Sequence, residues 1–192
     1  VTCVKGNIHK IDLSAANLCS NGDRKPGPIV YCKGLPAEIG ELSTLEILQV
    51  SRRQFLRGTL PTEIGKLSLL KFLDFSSCTS MKGNLPTELG MLTNLRYLIL
   101  SHSRFQGTFP EEIFHIRSLE KIHITNNRFY GSLPTTLGLL ENLKEFMLSR
   151  NYFTSSIPTE IGNLNKLENF EAYSNSMNGT LPEQMAICTN LK

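Results

Sequence analysis

Histidine and acidic side chains are the groups in this chain that could carry acid–base chemistry. The four histidines have no metal-ligand spacing, and His102 and His123 form the one pairing among them that deserves notice. A general base also needs a partner held in a cleft. Glu63, Glu88 and Glu160 recur at matching positions of a repeated unit, which indicates a structural role. We therefore expect no catalysis, no metal and no cofactor.

Cysteine chemistry is the other option, and the chain has 5 cysteines without a Cys-x-x-Cys motif. Cys19 and Cys32 flank a polar, turn-rich stretch at 20–28. A disulfide that closes this loop would stabilise the fold by roughly 2–4 kcal/mol. We predict this bridge, and two free thiols in a reducing compartment remain the alternative.

Charge and hydropathy limit the classes of partner. The net charge of +3 is small and dispersed, which argues against nucleic acid and anionic membranes. No apolar run is long enough to cross a membrane, so no membrane contact is expected within this sequence. The chain begins without Met and ends within another repeat, so we expect it to be a fragment of a longer protein.

A proline recurs throughout the chain at intervals of 24 or 25 residues. A fixed period of this length is typical of a solenoid of stacked turns. The periodic residues are Pro36, Pro61, Pro86, Pro110, Pro134, Pro158 and Pro182.

Each repeat carries the apolar spacing of a leucine-rich repeat, LxxLxLxxNxL, seen best from Leu119 to Phe129. The pattern predicts a short period-two strand followed by a 3₁₀ or α turn after the proline. The resulting fold class is an α/β solenoid, a right-handed leucine-rich repeat superhelix of about seven turns with a concave parallel β-sheet. We assign residues 1–35 to an N-terminal capping turn and residues 36–192 to the repeats.

A polar position after each strand forms a predicted ladder of buried side chains. A buried amide can donate to and accept from the backbone of neighbouring turns. Its members are Ser103, Asn127, Asn151 and Asn175. In the two 25-residue turns the position falls on Arg53 or Gln54, and on Cys78 or Thr79. Cys78 then reads as a small buried hydrophobe.

The segment 98–110 ends in Gln106-Gly107-Thr108-Phe109-Pro110 and resembles the plant-specific subclass of leucine-rich repeats. Thr62-Glu63-Ile64-Gly65 and the Val1-Thr2-Cys3 remnant of a cap also resemble it. Members include receptor-kinase ectodomains, receptor-like proteins and polygalacturonase-inhibiting proteins. The resemblance implies a second short β segment at Gly-x-Leu-Pro, recognition of proteins or peptides outside the cell, and no enzyme activity.

Outward strand positions define the expected binding face. Ile47, Phe72, Tyr97 and Ile99 form an apolar cluster there, which suggests a partner surface, although scattered surface apolar residues are ordinary. Towards the C-terminus the face becomes polar. Its candidate contacts are His123, Glu145, Arg150 and Tyr173. A further outward column is nearly all hydroxyl and includes Ser51 and Ser149.

Two further features are candidates for binding or modification. Arg104 and Arg128 occupy the same repeat position on adjacent turns, and Tyr152 occupies it on the next turn. The two arginines could hold an anion such as a pectin carboxylate, although the favoured interpretation is that both are solvated. Asn178-Gly179-Thr180 is a glycosylation acceptor sequence near a lateral surface.

The predicted function is non-catalytic recognition of a protein or peptide through the concave face, outside the cell. One alternative is a structural scaffold subunit of a larger assembly or cell wall. A further alternative is an inhibitor of a secreted glycan-degrading enzyme.

Overall fold

The computed structural model describes residues 2–4, 7–12, 34–54 and 56–192. Its main feature is a long sheet in which each turn contributes one short strand. In the order of the sheet, these strands are β1 (Thr2–Val4), β2 (Asn7–Asp12), β3 (Ile47–Gln49), β4 (Phe72–Asp74), β6 (Tyr97–Ile99), β8 (Lys121–His123), β10 (Glu145–Met147) and β12 (Asn169–Glu171). The predicted right-handed solenoid with a concave parallel sheet is confirmed.

Pairing within this sheet follows the repeat without slippage. From β2 to β12 all neighbours are parallel, and Leu48, Leu73 and Leu98 stand in one row. These central residues are fully buried, whereas their strand neighbours on the outward face are half-buried, apart from Asp74, which is 7% exposed. β1 adds an antiparallel strand beside β2, which the repeat pattern does not predict.

A second, lateral sheet lies on the ascending side of the turns, after the concave strands. Its strands are β5 (Lys82–Gly83), β7 (Arg104–Thr108), β9 (Arg128–Gly131) and β11 (Tyr152–Phe153). Most turns have a glycine here, because the backbone has a positive φ that disfavours other residues. In one turn Ser155 takes this position, with a φ of 63°. Gly107 has a φ of +87°, and a Cβ there would lie 2.6 Å from Asn84 Oδ1. The β segment expected from the family resemblance is therefore present at Gly-x-Leu-Pro.

The convex side is built from five-residue 3₁₀ helices, each of which directly follows a periodic proline. Proline suits this position because its φ is already close to helical and it lacks an N–H that would need a partner. The third helical residue, such as Ile64, points into the core and is fully buried. The helices span Ala37–Glu41, Thr62–Lys66, Thr87–Met91, Glu111–His115, Thr135–Leu139, Thr159–Asn163 and Glu183–Ile187.

The core is one continuous apolar stack along the axis of the solenoid. Its spine includes Phe105, Phe129 and Phe153, none of which is more than 1% exposed. The rings of Phe129 and Phe153 stack with centroids 6.5 Å apart. No helix in the described part of the chain is long and apolar enough to cross a membrane.

The polar ladder positions donate hydrogen bonds to the end of the preceding strand. Asn127 Nδ2 donates to the carbonyl of Leu100 at 2.8 Å, and Asn151 repeats the bond one turn later, to Ile124 at 2.9 Å. Ser103 Oγ donates to Phe75 at 2.9 Å, and the Cys78 thiol donates to Val50 at 3.2 Å. Cys78, not Thr79, therefore takes the ladder position of its turn. The donors Cys78, Ser103, Asn127, Asn151 and Asn175 form one row.

A left-handed residue precedes every ladder position. His102, Asn126 and Arg150 have φ values of 59°, 58° and 56°. Only a few per cent of non-glycine residues adopt this conformation. It reverses the chain at the end of the strand, so that the next side chain points into the core. The extra residue of each 25-residue turn therefore lies between the ladder position and the next spine residue. In one turn these are Arg53 and Leu56, and in the other they are Cys78 and Met81.

Most of the predicted capping turn, 13–33 with Cys19 and Cys32, lies outside the described residues. The disulfide between these two cysteines stays a prediction. Cys78 and Cys188, the cysteines whose side chains the structure describes, are both free and buried. Burial raises the pKa of the Cys78 thiol to about 11, which makes it a poor nucleophile at neutral pH.

Candidate functional site

Four apolar side chains stand together on the outward face of β3, β4 and β6. Sheet pairing places Ile47 beside Phe72 and Phe72 beside Tyr97. The two rings are 5.8 Å apart and tilted by 48°. Ile99 follows on the same strand as Tyr97. All four are half-buried although they face away from the core, and we call them the apolar patch.

A row of charged residues borders the apolar patch. It occupies the position just before the first outward residue of each strand and was not identified from the sequence. Lys71 Nζ lies 2.6 Å from Glu46 Oε2, and Arg96 pairs with Glu120. The Arg96 guanidinium also lies 5.9 Å from the centre of the Tyr97 ring. The charged row comprises Glu46, Lys71, Arg96, Glu120, Lys144, Glu168 and Lys192.

Glu120 is the carboxylate shared between two cations of the charged row. Its Oε2 lies 2.9 Å from Lys144 Nζ, while Oε1 faces Arg96. The hydrogen bond from Lys144 is the main cause that holds the pKa of Glu120 below its ordinary 4.5. Burial of the carboxyl opposes this shift, and Arg96 adds to it. The row therefore fixes the Arg96 side chain beside the Tyr97 ring.

We expect Glu120→Gln to lower the free energy of unfolding at pH 7 by about 1 kcal/mol. A carboxyl whose folded-state pKa is lowered stabilises the fold above its unfolded pKa, and this contribution is lost as pH falls through the folded pKa. The difference between variant and wild type should therefore shrink below pH 4.5. Urea unfolding between pH 3 and 8 measures it, with exposed Glu141→Gln as control. An equal deficit at pH 3 and pH 7 would contradict the assignment.

A polar network follows the apolar patch on β8 and β10. Glu145 accepts from Lys121 Nζ at 2.6 Å and contacts His123 Nε2 at 2.8 Å. Burial alone would raise the pKa of Glu145, but the hydrogen bonds from Lys121 and His123 lower it below its ordinary value. The predicted residues His123 and Glu145 are thus brought together. Lys121, which belongs to the network, was not among the predicted contacts.

Arg150 and Tyr173 lie at the rim of the concave face. The Arg150 guanidinium lies 5.9 Å from the centre of the Tyr173 ring, and both side chains are exposed. The hydroxyl column beside them departs from expectation. Ser51 is 7% exposed and Ser149 is fully buried, because the strand ends turn inward towards the ladder. Those two serines are therefore not available to a partner.

The two histidines singled out from the sequence do not meet. His102 lies at the left-handed position and its Nδ1 is 3.1 Å from Asn126 Nδ2, whereas His123 contacts Glu145. Within the described residues, no group of three or more His, Cys, Asp or Glu could hold a metal ion. Asn178, the acceptor of the glycosylation sequence, is exposed.

The arrangement suits the binding of a partner. An open sheet presents rows of side chains at the strand spacing of about 4.8 Å, with apolar groups first and charged groups beyond them. Met147, in register with His123, extends the apolar character into the polar half of the face. A bound segment would contact several turns at once.

Several solved structures are similar to this chain. The ectodomain of the Arabidopsis thaliana receptor kinase GASSHO1/SCHENGEN3 is 29% identical, with a TM-score of 0.81 over 83% of this chain and 19% of that one. The Arabidopsis HAESA ectodomain is 27% identical, with a TM-score of 0.67 over 83% and 31%. A leucine-rich repeat protein of Leptospira interrogans is 27% identical, with a TM-score of 0.62 over 84% and 45%.

The chain spans less than half the length of each of these structures. Among curated proteins, no sequence matches it. A sequence model described as "leucine-rich repeat region" matches residues 68–192, which is more than half of the chain. This match and the repeated strand, ladder and 3₁₀ helix of each turn lead to one conclusion. The chain belongs to the leucine-rich repeat family.

Proposed function

We propose that the concave face binds an extended segment of a protein or peptide partner outside the cell. The observation that carries the proposal is the apolar patch, which holds two aromatic rings and two isoleucines outward on three consecutive strands. Contiguous outward apolar groups on a folded domain are a mark of interaction sites. Tyrosine and phenylalanine are also enriched at protein interfaces.

The order of groups along the face suggests how the partner lies. Three strand spacings of about 4.8 Å separate Phe72 from Glu145, or roughly 14 Å. An extended segment of about five residues covers this distance at about 3.3 Å per residue. Its apolar side chains would contact the apolar patch, and its polar end would lie near Lys121 and His123. The carboxylate of Glu145 already contacts Lys121 and His123, so it would orient both side chains for the ligand.

Similar structures support this class of partner. The HAESA ectodomain was solved with a peptide hormone ligand. An extracellular location agrees with the predicted Cys19–Cys32 bridge and with an exposed acceptor at Asn178. Non-reducing peptide mapping and glycan analysis of the natural protein would examine both modifications.

We expect Phe72→Ala/Tyr97→Ala to weaken partner binding at least about tenfold, because central aromatic residues dominate interface energies. The protein, immobilised, is used to capture partners from the extracellular fraction of its source, and captured proteins and peptides are quantified by mass spectrometry. Partners that bind the wild type should be missing or strongly depleted with the double variant.

Leu69→Ala/Met91→Ala is the matched control, because these apolar side chains are 44% and 61% exposed and lie outside the concave strands. This control should retain every partner. If the double variant of the apolar patch retains them all as well, binding through this face is refuted.

A further inference from the structure

Charge is segregated around the turns of the solenoid. We define the ascending flank as the segments between each concave strand and the next periodic proline, 50–60, 75–85, 100–109, 124–133, 148–157 and 172–181. None of the 17 acidic residues of the chain falls in these segments. The flank nevertheless carries the cations Arg53, Arg57, Lys82, Arg104 and Arg128, and Arg52 and Arg150 lie at its border with the concave face. Cations on five consecutive turns, without an acidic residue in the same segments, favour an anionic partner.

The lateral sheet presents part of this charge on an exposed surface. Along β7, Arg104, Gln106 and Thr108 are exposed and alternate with buried residues. Sheet pairing places Gln106 beside Arg128. The repeat aligns Arg104 with Arg128, so the lateral strands are shifted by two residues relative to the repeat.

Two tyrosines extend the exposed surface of the lateral sheet beside the cations. Tyr130 is paired with Tyr152 on the neighbouring strand, and they are 53% and 58% exposed. Tyr130 lies two residues after Arg128 on the same face of β9. Exposed aromatic rings thus lie beside the cations of the ascending flank.

Several cations of the concave side are neutralised by carboxylates of neighbouring turns. On the concave side, Lys71, Arg96 and Lys121 all pair with glutamates. On the flank, Lys82, Arg104, Arg128 and Arg150 form no ion pair with any carboxylate among the described residues. Their charge is therefore available to a second molecule.

We propose that the ascending flank is a second binding surface, separate from the concave face, for an acidic segment of a protein partner. Charge complementarity selects the partner, since only an anionic surface neutralises cations that the chain leaves unpaired. Arginine and tyrosine are among the residues that interfaces between proteins favour. Binding should weaken steeply with salt because the contacts are exposed.

Poly-L-glutamate, immobilised, serves as the probe for this surface. The wild type should bind at low ionic strength and dissociate with added NaCl. Arg104→Ser/Arg128→Ser should weaken binding about tenfold. Lys66→Ser/Arg117→Ser removes the same charge from exposed positions off the flank and should stay within about twofold of wild type. Phe72→Ala/Tyr97→Ala should also bind normally, which separates this proposal from the proposed function.

Three results would overturn the flank proposal. Equal losses in the two double-serine variants would mean that net charge alone governs binding. If the wild type does not bind poly-L-glutamate at low salt, the flank is not a binding surface for acidic segments. Tighter binding to polygalacturonate than to poly-L-glutamate of matched length would replace the protein partner by an acidic polysaccharide.

Discussion

Asn151→Ala is expected to lower the free energy of unfolding by about 3–5 kcal/mol. The Asn151 amide donates to the carbonyls of Ile124 at 2.9 Å and Leu148 at 3.0 Å, and its Oδ1 accepts from the N–H of Phe129 at 3.1 Å. All three bonds are buried. A buried polar group that loses its partner costs about 1–3 kcal/mol, and alanine offers none.

Chemical unfolding followed by circular dichroism measures this loss as a lower midpoint. Asn165→Ala is the control, since Asn165 is exposed. Its free energy of unfolding should differ from that of the wild type by no more than about 0.5 kcal/mol. A loss below about 1 kcal/mol for Asn151→Ala would mean that water replaces the amide and that the ladder contributes little.

The ladder also shows how far the sequence alone could lead. The period and the strand pattern predicted the fold, because each turn repeats the same apolar positions. The choice between Cys78 and Thr79 stayed open, since one extra residue can lie on either side of a ladder position. Ser77 has a left-handed backbone, which makes the following residue, Cys78, the ladder residue. The residue types at this position vary from turn to turn, so the sequence does not reveal the conformation. Cys78 then donates where other turns use serine or asparagine.

The concave face was predicted in position but not in its contacts. Strand alternation placed Phe72 and Tyr97 outward. The pairing of Arg96 with Glu120 depends on side-chain reach between turns, which strand alternation does not specify. Comparison of the repeats at the position one residue before the first outward residue would have found the mixed positive and negative charges of this row. The burial of Ser149 could not be read from alternation, because the chain leaves the strand conformation at that point.

The charge of the ascending flank was only partly visible in the sequence. Arg104 and Arg128 were recognised as neighbours in the repeat register. The offset of the lateral strands, which places Gln106 beside Arg128 and Tyr130 beside Tyr152, follows from the geometry of the turn and not from the period. The absence of acidic residues becomes informative only once the segments are known to share one side of the molecule.

Phe129→Ala is the second substitution expected to have a large effect, with a loss of about 3–5 kcal/mol in the free energy of unfolding. Phe129 is fully buried, and its ring lies 5.5 Å from Phe109 and 6.5 Å from Phe153. Truncation leaves a cavity between turns that the rigid ladder prevents from collapsing. In a solenoid, stability includes the interfaces between neighbouring turns, so the variant should also unfold less cooperatively.

Phe72→Ala is the matched control, because it removes the same ring from the outward face of the sheet. Its ring is half-buried and contacts Tyr97, so its loss should cost about 1 kcal/mol. Denaturant unfolding of both variants, with hydrogen exchange to locate weakened turns, measures the difference. Similar losses in the two variants would mean that Phe72 belongs to the core. A large difference leaves Phe72 with little structural role and so favours its role in binding.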